Sequence, residues 1–226
     1  MGVFDPATSV FSAVDIFQSI SSERKYTGGV LVPGGKIVFA PCFANNIGIF
    51  DPATSIFSLV DITATIAIAI KYMGAVLGAN NLVYFVPSFA NNVGKFNPVT
   101  SVFSVVDITP IESGDYKYNG GVLVPSGNIV FVPYVANNIG MFNPATDAFW
   151  IVDISAITTG NAKYMGGVLL PSGTVVFVPY VENAVGIFDP VTEVLTTVDI
   201  SASVAAINSK FTGGVLAPSG KVAPRG

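Results

Sequence analysis

The sequence predicts an all-β fold, a five-bladed β-propeller of four-stranded antiparallel blades. Three markers recur along the chain and support this prediction: a Phe-Asp/Asn-Pro triplet, a Val-Asp-Ile triplet, and a Lys followed by Tyr or Phe. The first two occur five times at a constant spacing of 46 residues, and the third has one interval of 47. Self-similarity at such a period is typical of repeat architectures, and about 40–50 residues per repeat is typical of propeller blades.

Each repeat contains four short segments rich in Val, Ile, Phe and Tyr, which is the signature of β-strands. In the third full copy they are GGVLVP, NIVFVPYV, NIGMFNP and DAFWIVDI, separated by turn-forming stretches at 125–127, 136–138 and 143–146. Along Ile129 to Tyr134 both alternating faces are apolar. We therefore expect each sheet to be covered on both sides by neighbouring blades. Pro, Asn and Gly interrupt the apolar runs too often for a membrane helix, which needs about 20 continuous apolar residues.

The markers divide a single domain, 1–226, into blade segments. Complete blades are expected at residues 25–62, 71–108, 117–154 and 163–200. The ends of the chain, 1–16 and 210–226, correspond to the outer and inner parts of one further blade, so we predict a composite blade that closes the ring. This blade lacks a counterpart of residues 42–46, and Pro224 stands where the pattern has Phe39. Its second strand is therefore expected to be frayed or truncated, and five blades is a minimum for the natural chain.

The pattern GGVLxPSGxIVFVPxxANNIGxFDPxT resembles the repeats of streptogramin B lyase and of the related NHL-type and YVTN-type propellers. In those repeats a Gly-rich inner strand, a Pro-x-Gly turn, an Asn-x-Ile-Gly third strand and an Asp-Pro-x-Thr hairpin follow in the same order. The resemblance covers nearly all 226 residues and implies the architecture. It implies no activity, because catalysis in the lyase resembles a His- and metal-dependent mechanism and this chain contains no His.

Composition narrows the classes of partner and chemistry. A formal net charge of −4 and a pI near 4.6 argue against nucleic acid and against anionic membrane surfaces, because both attract clustered basic residues. The single Cys42 cannot form an intramolecular disulfide, and the lack of His excludes the common nucleophilic triads. We expect no enzyme activity, no metal and no cofactor. No signal peptide or transmembrane segment is visible, and the sequence does not identify a compartment.

The first candidate site is a ring of lysines, one from each repeat, just before the innermost strand. If that strand lines the central channel, five ammonium groups surround one mouth of it and would attract an anion. Alternatively, each amine pairs with a nearby carboxylate or hydrogen-bonds to loop carbonyls while its stem covers apolar surface. These residues are Lys25, Lys71, Lys117, Lys163 and Lys210.

The second candidate site combines aromatic rings with amides on the same predicted face. Rings that stack on the C–H face of a sugar, beside amides that bind its hydroxyls, suit a neutral polyhydroxylated ligand. Alternatively, Asn supports a left-handed backbone in a tight turn and Tyr fills the gap between blades. The residues of the loop after the second strand are Asn45, Asn91, Asn137, Asn183, Tyr134 and Tyr180, and those following the lysines are Tyr26, Tyr72, Tyr118 and Tyr164.

The acidic residues have mainly structural interpretations. Asp5, Asp51 and Asp189, replaced by Asn97 and Asn143 in the other copies, are predicted to cap the Pro-x-Thr hairpin, and this exchange argues against a metal site. The carboxylates that break the repeat include Glu182, which shares a predicted face with Glu112 and Asp115. They would form the single site of a lyase- or glycosidase-like enzyme if this chain were one.

Taken together, the residues predict a binding or interaction module without catalysis, multivalent for small neutral ligands such as sugars. A single-site enzyme at the channel mouth is one alternative. The other alternative is a pure protein–protein scaffold. In that case Trp150, which replaces Ser at the rim, would anchor a protein partner or a weak self-association of the otherwise monomeric chain.

Overall fold

The computed structural model describes residues 1–16, 23–205, 207 and 209–226. These residues form β-strands joined by turns, and no helix among them is long and apolar enough to cross a membrane. The protein is an all-β propeller of about five blades, as the sequence predicts.

Four complete blades follow one another along the chain, each a four-stranded antiparallel meander whose strands pair in sequence order. The first consists of β3 (Tyr26–Leu31), β4 (Ile37–Pro41), β5 (Asn46–Asp51) and β6 (Ile56–Asp61). The second consists of β7 (Tyr72–Leu77), β8 (Val83–Pro87), β9 (Asn92–Asn97) and β10 (Val102–Asp107). The third consists of β11 (Tyr118–Leu123), β12 (Ile129–Pro133), β13 (Asn138–Asn143) and β14 (Ala148–Asp153). The fourth consists of β15 (Tyr164–Leu169), β16 (Val175–Pro179), β17 (Ala184–Asp189) and β18 (Val194–Asp199).

The core lies between blades rather than inside any one of them. The second strands β8, β12 and β16 are buried along their whole length, because side chains on both faces contact neighbouring blades. One cluster joins Val38 and Ile47 of the first blade to Tyr72 and Phe85 of the second. Two further clusters join the second blade to the third and the third to the fourth. These interfaces account for the high apolar content of the sequence.

The hairpins between the third and fourth strands are capped as predicted. The Oδ1 atom of Asp51 accepts a hydrogen bond from the N–H of Ala53 at 3.0 Å, and that of Asn143 accepts from the N–H of Ala145 at 2.8 Å. The other repeats make the same contact, so Asp and Asn serve equally well as turn acceptors.

The composite blade differs from the prediction. Its outer half is a hairpin of β1 (Gly2–Asp5) and β2 (Val10–Ala13), and its inner half is a hairpin of β19 (Gly214–Leu216) and β20 (Val222–Pro224). The two hairpins remain separate two-stranded sheets, and no ladder joins them among the described residues. Pro224 has no N–H to donate, and the residues that would join β20 to β1 have no counterpart in this chain. The predicted truncation is confirmed, whereas hydrogen-bonded closure of the ring is not.

The innermost strands β3, β7, β11, β15 and β19 approach one another at a series of glycines with positive φ. A methyl group placed on Gly120, where φ is 87°, would lie 3.0 Å from the Cα of Gly166. The distance from such a methyl group to the Cα of the next glycine in the series is 3.7 Å for Gly28 and Gly74, 3.2 Å for Gly74 and Gly120, 3.0 Å for Gly120 and Gly166, and 3.3 Å for Gly166 and Gly213. Only glycine allows backbones to approach this closely, so the series forms a tight arc around the propeller axis. We call it the glycine arc.

Candidate functional site

One face of the propeller carries both candidate sites, as predicted, because the backbone at each lysine joins two blades. The N–H of Lys163 donates to the carbonyl of Tyr134 in the preceding blade at 2.8 Å. The carbonyl of Lys163 then accepts from the N–H of Tyr180 in its own blade at 2.9 Å. The same pattern at Lys71 and Lys117 places the loop after each second strand beside the lysine of the next blade.

Four of the five lysines are buried rather than arranged around an open channel mouth, and Lys25 is partly exposed and lines the cavity of about 420 Å³ beside the N-terminal hairpin. Lys71, Lys117 and Lys163 have no exposed surface, and Lys210 is 5% exposed. The amine of Lys163 donates to the carbonyls of Val135 and Ala136 at 2.9 and 3.1 Å. Those of Lys71, Lys117 and Lys210 likewise donate to oxygen atoms of the preceding blade or of the connecting loop. The contacts of these buried lysines therefore agree with the second interpretation given above, in which each amine hydrogen-bonds to oxygen atoms of nearby loops.

Burial also changes the titration of the lysines. It lowers the pKa of Lys117 and of Lys163 to about 8, although neighbouring carboxylates oppose the shift, Glu112 and Asp115 at Lys117 and Glu182 at Lys163. Burial lowers the pKa of Lys71 as well. The loss of hydration outweighs the nearby negative charge at these positions.

The tyrosines that follow the lysines are also part of the blade interfaces. Tyr72, Tyr118 and Tyr164 are fully buried, and Tyr26 is partly buried. The hydroxyl of Tyr118 donates to Oδ1 of Asn138 at 2.5 Å, and the equivalent bonds join Tyr26 to Asn46 and Tyr72 to Asn92. The fourth blade has Ala184 at the position of this Asn. The amide that pairs with the ring is therefore the second Asn of the loop, not the first.

The first Asn of each loop has a backbone role, but not the one expected. Asn45, Asn91, Asn137 and Asn183 are not among the residues with positive φ, so the proposed left-handed turn is wrong. Their backbone carbonyls instead accept a hydrogen bond from the N–H of the Ile that ends each Val-Asp-Ile triplet, at 2.8–3.0 Å. Among the described contacts, Asn91 is the one of these four whose side chain bonds to another predicted site residue. Its Oδ1 accepts a hydrogen bond from the amine of Lys117 at 2.9 Å.

A cavity of about 870 Å³ opens on this face and is lined by the second, third and fourth blades, by the loops between them and by Arg24, which precedes the first blade. The smaller cavities, of about 420, 380 and 340 Å³, lie where the terminal hairpins meet neighbouring blades. Met73, Asn119 and Met165 line the large cavity and directly precede three members of the glycine arc, which places them near the propeller axis. We call this cavity the axial cup. Its other lining residues are Arg24, Asp115, Tyr116, Tyr134, Val135, Asn161, Ala162 and Tyr180.

Aromatic rings form one wall of the axial cup. The centroid of Tyr134 lies 6.5 Å from that of Tyr116 and 6.0 Å from that of Tyr180. Tyr116 also contacts Phe89 edge-on at 4.4 Å, and the hydroxyl of Tyr180 accepts from that of Ser209 at 2.7 Å. Burial, with smaller contributions from Tyr180 and Tyr116, raises the pKa of Tyr134. The wall therefore presents partly exposed phenol rings to the cup.

Asn119 is a nearly buried polar group in the cup whose hydrogen-bonding capacity is largely unused. It is 9% exposed, and the one partner that the described residues give its side chain is the sulfur of Met73, 3.8 Å from Nδ2. Sulfur is a weak acceptor, and the carbonyl oxygen of the amide has no described donor. A buried amide usually has its hydrogen bonds made by protein or by a bound molecule. Asn119 can therefore both donate to and accept from a ligand in the cup.

Two of the three carboxylates considered for catalysis, Glu112 and Glu182, are hydrogen-bonded within the protein, and the third, Asp115, lines the axial cup. Glu112 accepts from the N–H of Gly114 at 2.8 Å and from Nδ2 of Asn138 at 2.5 Å. Glu182 accepts from the hydroxyl of Thr158. Over the described ranges, no three His, Cys, Asp or Glu side chains come together in a group that could hold a metal ion.

Trp150 contacts the neighbouring blade at the rim. Its Nε1 donates to Oε1 of Glu193 at 2.8 Å, and its ring is partly buried against the core of the third and fourth blades. The contact therefore joins the outer strand of the third blade to the fourth blade.

Of the predicted site residues only Tyr134 and Tyr180 line the axial cup. The others lie at blade interfaces or in the surrounding loops. Repetition led the prediction to residues that are the same in every blade, whereas the cup is lined by residues that differ between blades. The position before each lysine was the signal that could have found Arg24, Tyr116 and Ala162, because it is occupied by a different residue in every repeat.

Comparison with known proteins supports the architecture. No protein-family model matches the chain, and no curated protein matches its sequence. Among solved structures, a streptogramin B lyase has a TM-score of 0.76 and 17% identity, covering 96% of this chain and 66% of its own. The virginiamycin B lyase of Staphylococcus aureus has a TM-score of 0.72 and 15% identity, covering 91% of this chain and 64% of its own.

A protein described as a putative gluconolactonase has a TM-score of 0.60 and 12% identity, covering 88% of this chain and 71% of its own. These similarities show the fold, and the predicted resemblance to streptogramin B lyase-like propellers is confirmed at that level. The chain spans less than two thirds of the length of either lyase structure.

Proposed function

We propose that this protein is a non-enzymatic binding module that holds one small polyhydroxylated ligand, such as a sugar, in the axial cup. The observation that carries the proposal is the arrangement of Asn119 beside the aromatic wall. The Asn119 amide offers a donor and an acceptor in the lining of the cup, and Tyr134 and Tyr180 contribute aromatic rings to the same lining. Aromatic rings with a few well-placed polar groups are typical of small-molecule sites.

The lining supports one site per chain rather than several equivalent ones. The cup is a single cavity near the axis, and the blades contribute different side chains to it, such as Met73, Asn119 and Met165 at equivalent positions. We therefore replace the multivalent expectation with a stoichiometry of one.

Binding without chemistry is part of the proposal. Glu112 and Glu182 are occupied by hydrogen bonds to neighbouring residues. Both structural neighbours named as lyases are enzymes, so catalysis is the alternative that an experiment must separate from simple binding. A site built around Glu182 would lose its activity in Glu182→Gln, whereas the axial cup would keep its ligand.

Isothermal titration of the chain against monosaccharides and disaccharides tests the proposal. We expect one site, and we expect Tyr134→Ala to weaken binding about fivefold or more, since loss of an aromatic stacking partner costs on the order of 1 kcal/mol or more. Tyr164→Phe is the matched control, because Tyr164 is buried away from the cup. A stoichiometry of four or five, or binding unaffected by Tyr134→Ala, would contradict the assignment.

A further inference from the structure

The residue before each repeat lysine has the same uncommon backbone conformation in all five repeats. Its φ is positive, a region that residues with a Cβ rarely adopt. The φ angles are 45° at Arg24, 53° at Ile70, 51° at Tyr116, 53° at Ala162 and 62° at Ser209. Backbone hydrogen bonds tie Lys71, Lys117 and Lys163 to two blades each, and the carbonyl of Lys25 accepts from the N–H groups of Cys42 and Ala44 in its own blade, so these bonds hold the preceding residue in place.

The side chains at these five positions have nothing in common chemically. They include a guanidinium, a branched aliphatic group, a phenol, a methyl and a hydroxyl. If only the backbone conformation mattered, Gly or Asn would be favoured at this position, because both adopt positive φ at low cost, and neither occurs here. Strain that persists at an unfavourable residue is commonly found at functional sites. The variety therefore indicates that these residues are present for their side chains.

Three of the side chains, those of Arg24, Tyr116 and Ala162, line the axial cup, and Ser209 contacts the lining residue Tyr180. The backbone conformation before the lysine thus repeats, while the side chains that it places in the lining of the cup differ between repeats. Such an arrangement suits a set of residues that determines which ligand is bound.

Arg24 gives this set its sign of charge. Arg24 is the one cationic residue in the described lining of the cup, and the partly exposed Lys25 lines a different cavity. Within the described ranges, no carboxylate lies within ion-pair distance of its guanidinium. Asp115, which also lines the cup, lies close enough to the ammonium of Lys117 to affect its ionisation, so its charge is partly balanced.

We propose that Arg24 selects a ligand carrying an anionic group, so that the preferred occupant of the axial cup is a sugar acid rather than a neutral sugar. This inference rests on the proposed binding function. A guanidinium matches a carboxylate with two parallel hydrogen bonds, whereas a hydroxymethyl group offers no comparable partner. The aromatic wall and Asn119 would hold the ring of either sugar.

Titration with matched glycosides tests the inference. The probes are methyl β-glucoside with methyl β-glucuronide, and methyl β-galactoside with methyl β-galacturonide, which differ within each pair only at C6. We expect the acid to bind about tenfold more tightly than its neutral partner in one of the two pairs, a difference that one charged hydrogen-bonded contact supplies. In Arg24→Gln the two members of that pair should bind equally. Gln has the same backbone cost at this position and keeps a polar head.

Arg225→Gln is the control, since it removes the other arginine, which is exposed and lies outside the cup. Equal binding of acid and neutral sugar, both lost in Tyr134→Ala, would overturn the role of Arg24 and leave the binding function standing. A preference for the acid that survives Arg24→Gln would likewise overturn it. Absence of binding by all four glycosides would count against both the inference and the proposed sugar site.

Discussion

The glycine arc makes a quantitative prediction for Gly120→Ala. The added methyl would lie 3.0 Å from the Cα and 3.4 Å from the backbone N of Gly166. Both atoms belong to the main chain of the next blade, so no side-chain rotation can relieve the contact. Moving a neighbouring backbone inside a packed structure costs about 1–3 kcal/mol. The left-handed backbone, with φ of 87° at Gly120, adds about 1–2 kcal/mol for any residue with a Cβ.

Gly127→Ala separates these two costs. Gly127 has φ of 86°, but a methyl built on it meets nothing within 4 Å. It should therefore lose only the backbone contribution, about 1–2 kcal/mol. The effect of replacing Gly by Ala in the unfolded chain is similar for both variants and cancels in the comparison.

Urea unfolding of the parent and of both variants measures the difference. We expect the free energy of unfolding to fall by about 2–5 kcal/mol in Gly120→Ala, so that it exceeds the loss in Gly127→Ala by about 1–3 kcal/mol. The slopes of the unfolding transitions should agree, because the surface exposed on unfolding is unchanged. Equal losses in the two variants would refute the reasoning, since they would mean that neighbouring blades do not meet at this glycine.

Three further predictions follow from the buried polar groups. Because the pKa of Lys117 and of Lys163 is lowered to about 8, the unfolded chain binds more protons between about pH 8 and 10, and the thermal midpoint should rise over that range. Above about pH 10 the thermal midpoint should fall, because the buried tyrosines have raised pKa values and ionise only on unfolding. A midpoint that does not change with pH in the parent would contradict this account. So would a rise that is unchanged in the double variant Lys117→Met/Lys163→Met. Tyr118→Phe should cost about 1 kcal/mol by removing the bond to Asn138, whereas Tyr164→Phe should cost much less, and equal unfolding free energies would argue against that bond. The hydroxyl of Ser88 is buried and has no described hydrogen-bond partner, so Ser88→Ala should leave the melting temperature unchanged or raise it, and a marked decrease would reveal an unseen partner.

Most of the fold could be predicted from the sequence because each blade repeats the same solution to the same packing problem. The apolar second strand, exemplified by Ile129–Pro133, must be covered on both faces, and turn residues fix where each strand ends. The hairpin at Asn143 follows from local chemistry alone. Closure at the composite blade depends instead on pairing between chain ends, which local patterns do not determine, and the ladder there would have needed an N–H that Pro224 lacks.

The candidate site was harder to predict for a physical reason. A recurring residue signals a recurring contact, and the contacts that recur in a propeller are those between blades, as at Lys163 and Tyr118. The groups that line the axial cup stand at equivalent positions of the repeats but their side chains vary, so neither Asn119 nor Arg24 belongs to a recurring pattern. Their significance depends on the positive φ before each lysine and on the closeness of the inner strands, and neither property can be read from residue types.

The buried lysines have a consequence for how the protein comes apart. Each of these amines donates to the loop of the preceding blade. Opening one interface therefore breaks the hydrogen bonds of the ammonium group and of several carbonyls at the same time. Neighbouring blades should therefore open together rather than singly, and the amides next to these lysines should exchange their hydrogens at the rate of global unfolding. The terminal hairpins, which lack a full set of such ties, should exchange by local fraying well before that.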